Sequence, residues 1–179
     1  MFDVDIEHFC AAVVHPDTGE TITKYKVLTN DKNNPELRET WRTAFGKEVG
    51  RMAQGDNKTG TKGKDCIFVM THSEIKAMFA RGKKPTYARI VVDFRPQKED
   101  PNRVRITAGG NLIQCAGELT TRTADLTVTK MVWNSVVSTP GAKYAGFDVG
   151  DSYLETPLDE FEYMKMPLQL FPEWTREQY

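Results

Sequence analysis

From Leu37 to Met52 the apolar residues Leu37, Trp41, Ala44, Phe45, Val49 and Met52 recur at steps of three and four, the period that lines one side of an α-helix. Ahead of them, Asn34, Pro35 and Glu36 supply an N-cap, a first-turn proline and an acid at the positive helix end. A helix over 35–53 with a core-facing stripe is predicted. A second begins at Thr71, whose partner Glu74 three residues on completes a capping box. It carries Ile75, Met78 and Phe79 on one side and ends near Gly82. A third is expected from Ala124 to Ser138, capped by Thr123, partly burying Leu126, Val132, Trp133, Val136 and Val137 and stopped by Pro140-Gly141. Trp41 and Trp133 therefore read as core residues rather than base-stacking platforms.

Strand signals lie between these helices. Tyr87 to Phe94 and Arg103 to Ala108 are β-rich runs joined by RPQKEDPN, a stretch suited to chain reversal. In the second run Val104, Ile106 and Ala108 alternate with Arg103, Arg105 and Thr107, which gives one apolar face and one basic face. Shorter pieces are expected to be extended at Thr21–Thr23, Tyr25–Leu28, Cys66–Met70, Lys143–Asp148 and Phe161–Met166, with a turn or short helix from Ser152. Residues 1–34, which also contain the turn signal His15-Pro16-Asp17-Thr18-Gly19, read as peripheral. The fold class is α+β, with mixed short helices and antiparallel strands.

Composition narrows the options. The 179 residues, 39% hydrophobic and 27% charged, suit one ordinary globular domain. The formal net charge of −1 means that any nucleic-acid binding must come from local clusters. Cys10, Cys66 and Cys115 are far apart and have no Cys-x-x-Cys spacing, so they indicate neither zinc nor a disulfide framework. No apolar run reaches the roughly 18 residues of a membrane span, and the start MFDVDIEHF is acidic rather than a basic leader. A soluble intracellular protein, in the cytoplasm or nucleus, is expected. Asn57-Lys58-Thr59 is a sequon without a secretory signal.

The loop GDNKTGTKGKD, residues 55–65, combines glycines and lysines in a way that suits an anion. The nucleoside-triphosphatase pattern fails, because no Lys-Ser/Thr pair follows to open a helix. A solvated basic loop touching a nucleic-acid backbone is the simpler reading. His8, His15 and His72 lack helical His-x-x-x-His spacing and a neighbouring nucleophile pattern, which argues against a histidine hydrolase or zinc enzyme.

One string departs from this ordinary picture: Phe147-Asp148-Val149-Gly150-Asp151-Ser152-Tyr153, within YAGFDVGDSYLETPLDEFEYMKMP from Tyr144 to Pro167. Taken alone, Asp148 is a strand-ending turn residue, Tyr153 a core aromatic, and Arg103 and Arg105 surface arginines. The string resembles the first catalytic motif of reverse transcriptases, and the wider pattern is similar to Ty1/copia-type retroelements. RIVVDFRPQKEDPNRVRITAGGN, from Arg89 to Asn111, resembles their fingers hairpin. Residues 1–84 match only loosely, through Trp41-x-x-Ala44-Phe45-x-x-Glu48.

The resemblance implies a partial right-hand polymerase fold. Residues 1–34 would be peripheral, 35–142 fingers-like and 143–179 the start of the palm. It implies that Asp148 ligates Mg²⁺, the hard cation of phosphoryl transfer, helped by the Val149 carbonyl. Tyr153 would gate the sugar against a 2′-hydroxyl. Asp151 and Ser152 would turn backbone N–H groups toward the triphosphate, and Arg103 and Arg105 would pair with its oxygens. Asp151 stands where copia-type enzymes commonly carry an amide or small polar residue. The implied partners are an RNA or DNA template-primer, deoxynucleoside triphosphates and the remainder of a polyprotein.

A reverse transcriptase also needs a downstream Asp-Asp hairpin, and no Asp-Asp pair occurs in the chain. The expectation is fingers and first palm of an RNA-directed DNA polymerase that does not polymerise alone. Two other readings stand beside it. One is a non-catalytic nucleic-acid-binding or assembly module, the other a phosphate-binding enzyme using the Gly55–Lys64 loop.

Overall fold

The computed structural model describes residues 12–113, 125–146, 149–158 and 160–179. The chain falls into two compact units, Met1–Ile113 with Leu154–Tyr179, and Gln114–Tyr153. In chain order the described residues form β1 (Val13–Val14), β2 (Thr21–Ile22), α1 (Tyr25–Asn30), α2 (Pro35–Met52), α3 (His72–Ala80), β3 (Thr86–Phe94) and β4 (Asn102–Ala108). They continue with α4 (Leu126–Ser138), β5 (Met164–Lys165) and α5 (Glu173–Gln178), with single 3-10 turns at Gly110–Leu112, Ser152–Leu154 and Leu168–Leu170. The arrangement is mixed α+β.

The first unit is organised by α2. Asn34 Oδ1 accepts the Leu37 N–H at 3.0 Å, the predicted cap, and the apolar stripe buries Trp41, Ala44, Phe45, Val49 and Met52. This face meets Val92 of β3 and Val104 of β4 in one core, with Ile90, Phe94 and Ile106 packed around it. β3 and β4 pair antiparallel with Ile90 opposite Ile106 and Val92 opposite Val104. The pleat thus sends those residues toward α2 and sends Arg89, Val91, Asp93, Arg103 and Arg105 to the other face. β5 adds on the far side of β3 in parallel, pairing only at Thr86 and Tyr87.

Residues 12–30 contradict the peripheral expectation. Val13, Ile22, Tyr25 and Leu28 are core, and Leu28 is completely buried. Tyr25 to Leu28 is helical rather than extended. The spacing explains why: residues three apart share a helix face but lie on opposite strand faces. Tyr25 stacks on Phe45 at 4.9 Å and donates its hydroxyl to the Leu170 carbonyl. Burial outweighs β propensity here.

The stretch Cys66–Met70 is not a strand. The amides of Cys66 and Ile67 donate to the Met52 carbonyl at 2.7 and 3.1 Å, while Lys64 and Asp65 donate to the Arg51 and Ala53 carbonyls. These bonds satisfy the open carbonyls at the C-terminal end of α2, and Phe68 and Val69 are left exposed. α3 has the predicted capping box, with Thr71 and Glu74 bonded reciprocally, although only Met78 of its apolar residues is buried. The strand expected over Phe161–Met166 is confined to β5.

In the second unit, α4 is capped by Asp125, whose Oδ1 accepts from Thr127 and Val128. The expected cap, Thr123, lies outside the described residues. No α4 residue is buried. Trp133, expected as core, is half exposed and meets Tyr144 with tilted rings 4.5 Å apart. Residues 143–146 form no strand, and Phe147 and Asp148 lie outside the described residues.

Candidate functional site

The residues singled out in the sequence fall into two groups. Arg103 and Arg105 share the outward face of β4 in the first unit. Val149, Asp151, Ser152 and Tyr153 belong to the second unit. Asp148 lies outside the described residues.

On the hairpin, alternation places Arg103 and Arg105 two residues apart on one side, flanking buried Val104. Asp93 is directly opposite Arg103 in the register. Its Oδ2 lies 2.9 Å from Arg105 Nη2, an ion pair whose angle falls outside hydrogen-bond geometry. Sequence reading missed this acid, although counting back from the turn at Pro96–Pro101 brings it beside the arginines. Arg89 extends the same face and is exposed. The outward face thus carries three arginines, of which Arg105 is paired with Asp93.

Val149 is exposed. After Gly150, Asp151 takes a left-handed backbone with φ of 58°, a conformation aspartate tolerates better than most residues. The chain then enters the 3-10 turn Ser152–Leu154. Asp151, Ser152 and the Tyr153 backbone are therefore gathered in one tight reversal.

The glycine- and lysine-rich loop is closed in on itself. The amides of Lys58 and Thr59 donate to Asp56 Oδ1 at 2.9 and 3.3 Å, and Asp56 and Thr61 exchange backbone bonds. Gly50 has no side chain because a Cβ there would come within 2.5 Å of Asp56 Cβ. The end of the chain clasps the loop from outside: Gln178 Oε1 accepts the Asn57 N–H, and Gln178 Nε2 and the Tyr179 hydroxyl donate to the Gly55 carbonyl. Lys58 Nζ sits 3.5 Å from the Trp174 ring centroid and 2.8 Å from Glu39. The amides of Asn57, Lys58, Thr59 and Thr61 and the ammonium groups of Lys58 and Lys64 are thus already engaged within the protein.

One His/Asp cluster, His15, Asp17 and Asp31, brings ligand-type atoms within 4.8 Å of one another. His15 Nδ1 accepts the Asp17 and Thr18 N–H groups at 3.2 and 3.4 Å, and its Nε2 lies 3.0 Å from Asp31 Oδ2. An Nδ1 that accepts requires the proton on Nε2, so the imidazole has no lone pair free for a metal. The cluster pins the β1–β2 turn to the chain ahead of α2. The Asn33 N–H bonded to Asp31 Oδ1, aided by His15, holds the Asp31 carboxyl below its ordinary value.

Among the described residues no helix is long and apolar enough to cross a membrane. Comparison with protein families, curated proteins and solved structures gives no match for this chain.

Proposed function

We propose that the chain is the fingers and first palm segment of a retroelement RNA-directed DNA polymerase, acting on a template-primer with deoxynucleoside triphosphates and Mg²⁺. The observation that carries this reading is the β3–β4 hairpin, which presents Arg103 and Arg105 outward over a buried Val104. Such a face suits a polyanion because guanidinium forks match phosphate oxygens. The Gly150–Asp151 reversal also supports it, since a turn directly after Asp148 in sequence is what the resemblance requires.

In this reading Asp148 and the Val149 carbonyl would hold Mg²⁺, which would supply charge neutralisation for phosphoryl transfer. Asp151 and Ser152 direct backbone N–H groups at the triphosphate, and Tyr153 excludes a 2′-hydroxyl. One carboxylate does not fix two ions in line, so a second acidic motif must complete the chemistry. The His15 cluster does not serve this role, because both ring nitrogens are engaged within the protein.

The test is binding of a fluorescent RNA–DNA template-primer to the 179-residue chain between 50 and 200 mM salt. Replacing both Arg103 and Arg105 by Ala is expected to flatten the log–log salt slope by about 1 to 2. An unchanged slope would remove the support this face gives. Binding that depends on the arginines without any discrimination between deoxy- and ribonucleotide crosslinking at Tyr153 would favour the non-catalytic binding module instead.

A further inference from the structure

Thr86 is buried on the core side of β3, so alternation puts Tyr87 on the outward face together with Arg89. β5 brings Lys165 onto that face as the register partner of Tyr87. Tyr87 is 49% exposed, yet its ring is tethered. The hydroxyl donates to Asn111 Oδ1 at 3.0 Å, and the Tyr87 carbonyl accepts the Gly109 N–H at 2.9 Å. The lack of a side chain at Gly109 lets the ring close down on the backbone, since a Cβ there would fall 2.5 Å from Tyr87 Cε1 and Cζ. An aromatic ring that faces solvent and is already held in place has less ordering to undergo when a ligand stacks on it.

Two cations flank the ring. Lys165 starts from the neighbouring strand about 5 Å away, and Arg89 lies about 7 Å further along β3. Both are exposed, and among the described residues neither charged group has an ion-pair partner. The acid on this face, Asp93, is paired with Arg105. Lys165, Tyr87 and Arg89 therefore form a row in which a fixed aromatic surface sits between two uncompensated positive charges.

We propose that this row binds single-stranded nucleic acid, with one base stacked on Tyr87 and the phosphates on either side of it held by Lys165 and Arg89. An unpaired strand offers both things the row can use, a free base face and a phosphate next to it. In a duplex the base faces are already covered by neighbouring pairs, and an acidic peptide would meet the cations alone. The row shares no residue with the Arg103 and Arg105 pair, and the inference does not depend on the polymerase reading.

The probe is a fluorescently labelled oligothymidylate of about ten nucleotides, titrated into the full chain and followed by anisotropy. Saturable binding is expected. Tyr87→Ala should weaken it about tenfold or more with the salt slope unchanged, whereas Tyr87→Phe, which keeps the ring, should stay within about threefold. Replacing both Lys165 and Arg89 by Gln, two exposed changes, should flatten the log–log salt slope by about 1 to 1.5. A duplex of the same sequence should bind more weakly and ignore Tyr87→Ala. The proposal is overturned by absence of binding, by parent-like binding of Tyr87→Ala, or by an unchanged salt slope in the double variant. Equal losses in Tyr87→Ala and Tyr87→Phe would also overturn it, because the ring alone would then not carry the contact. Inorganic polyphosphate or polyglutamate competing as well as the oligonucleotide would reduce the row to charge attraction and overturn it equally. Arg103 and Arg105 are intact in every variant, so failure here leaves the polymerase reading untouched.

Discussion

Asp93 Oδ2 and Arg105 Nη2 lie 2.9 Å apart on the outward face of the β3–β4 hairpin. The carboxylate is largely shielded while the guanidinium is almost half exposed, with side-chain exposures of 14% and 44%. Asp93 therefore restrains an arginine that still reaches solvent, and it competes with any phosphate for that group.

Removing the competitor should strengthen polyanion binding. Asp93→Asn keeps the shape and deletes the charge, and a partly screened pair of this kind is worth about 1 kcal/mol or less. A two- to fivefold gain in template-primer affinity at low salt is expected, shrinking as salt rises. Fluorescence anisotropy at two ionic strengths measures it, and a loss of affinity would show that Asp93 instead orients the arginines.

Two tryptophans on helical stripes should respond in opposite ways. Trp41 is fully buried against the sheet, so Trp41→Ala should cost about 3–5 kcal/mol. Trp133 is half exposed and meets Tyr144, so Trp133→Ala should stay within about 1 kcal/mol. Urea midpoints compare the two directly. Equal losses would contradict the burial described here.

Acid should weaken two capped turns. Backbone N–H groups from Thr127 hold Asp125 below its ordinary value of 3.8, and that from Asn33 does the same for Asp31. A depressed carboxyl contributes stability that is complete above the unfolded value and is lost as pH falls through the folded one. Helical circular dichroism should hold from pH 7 to about 5 and decline below about 4. Asp125→Asn should reduce the acid sensitivity of α4, since an amide oxygen caps without titrating. The same decline in that variant would show that other groups drive the transition.

Local signals in the sequence were legible, and tertiary ones were not. Asn34 with Pro35, and Thr71 with Glu74, announce helix starts through bonds made within four residues. The alternation around Val104 likewise sorts the hairpin faces. Tyr25–Leu28 was misread because only its packing on Phe45 selects helix over strand. Cys66 and Ile67 were misread because their amides serve the end of a helix earlier in the chain. The contacts of the lysine-rich loop with Gln178 and Trp174, more than 110 residues away, leave no signal in the local sequence. Asp93 escaped notice because pairing register, not sequence proximity, sets it beside Arg103.

The most direct test of the polymerase reading is primer extension by a polypeptide in which residues 1–179 continue into an Asp-Asp palm hairpin, compared with its Asp148→Asn variant. The account predicts Mg²⁺-dependent extension by the parent and a loss of at least about a thousandfold in the variant, with template binding retained. Undiminished extension by Asp148→Asn would contradict it.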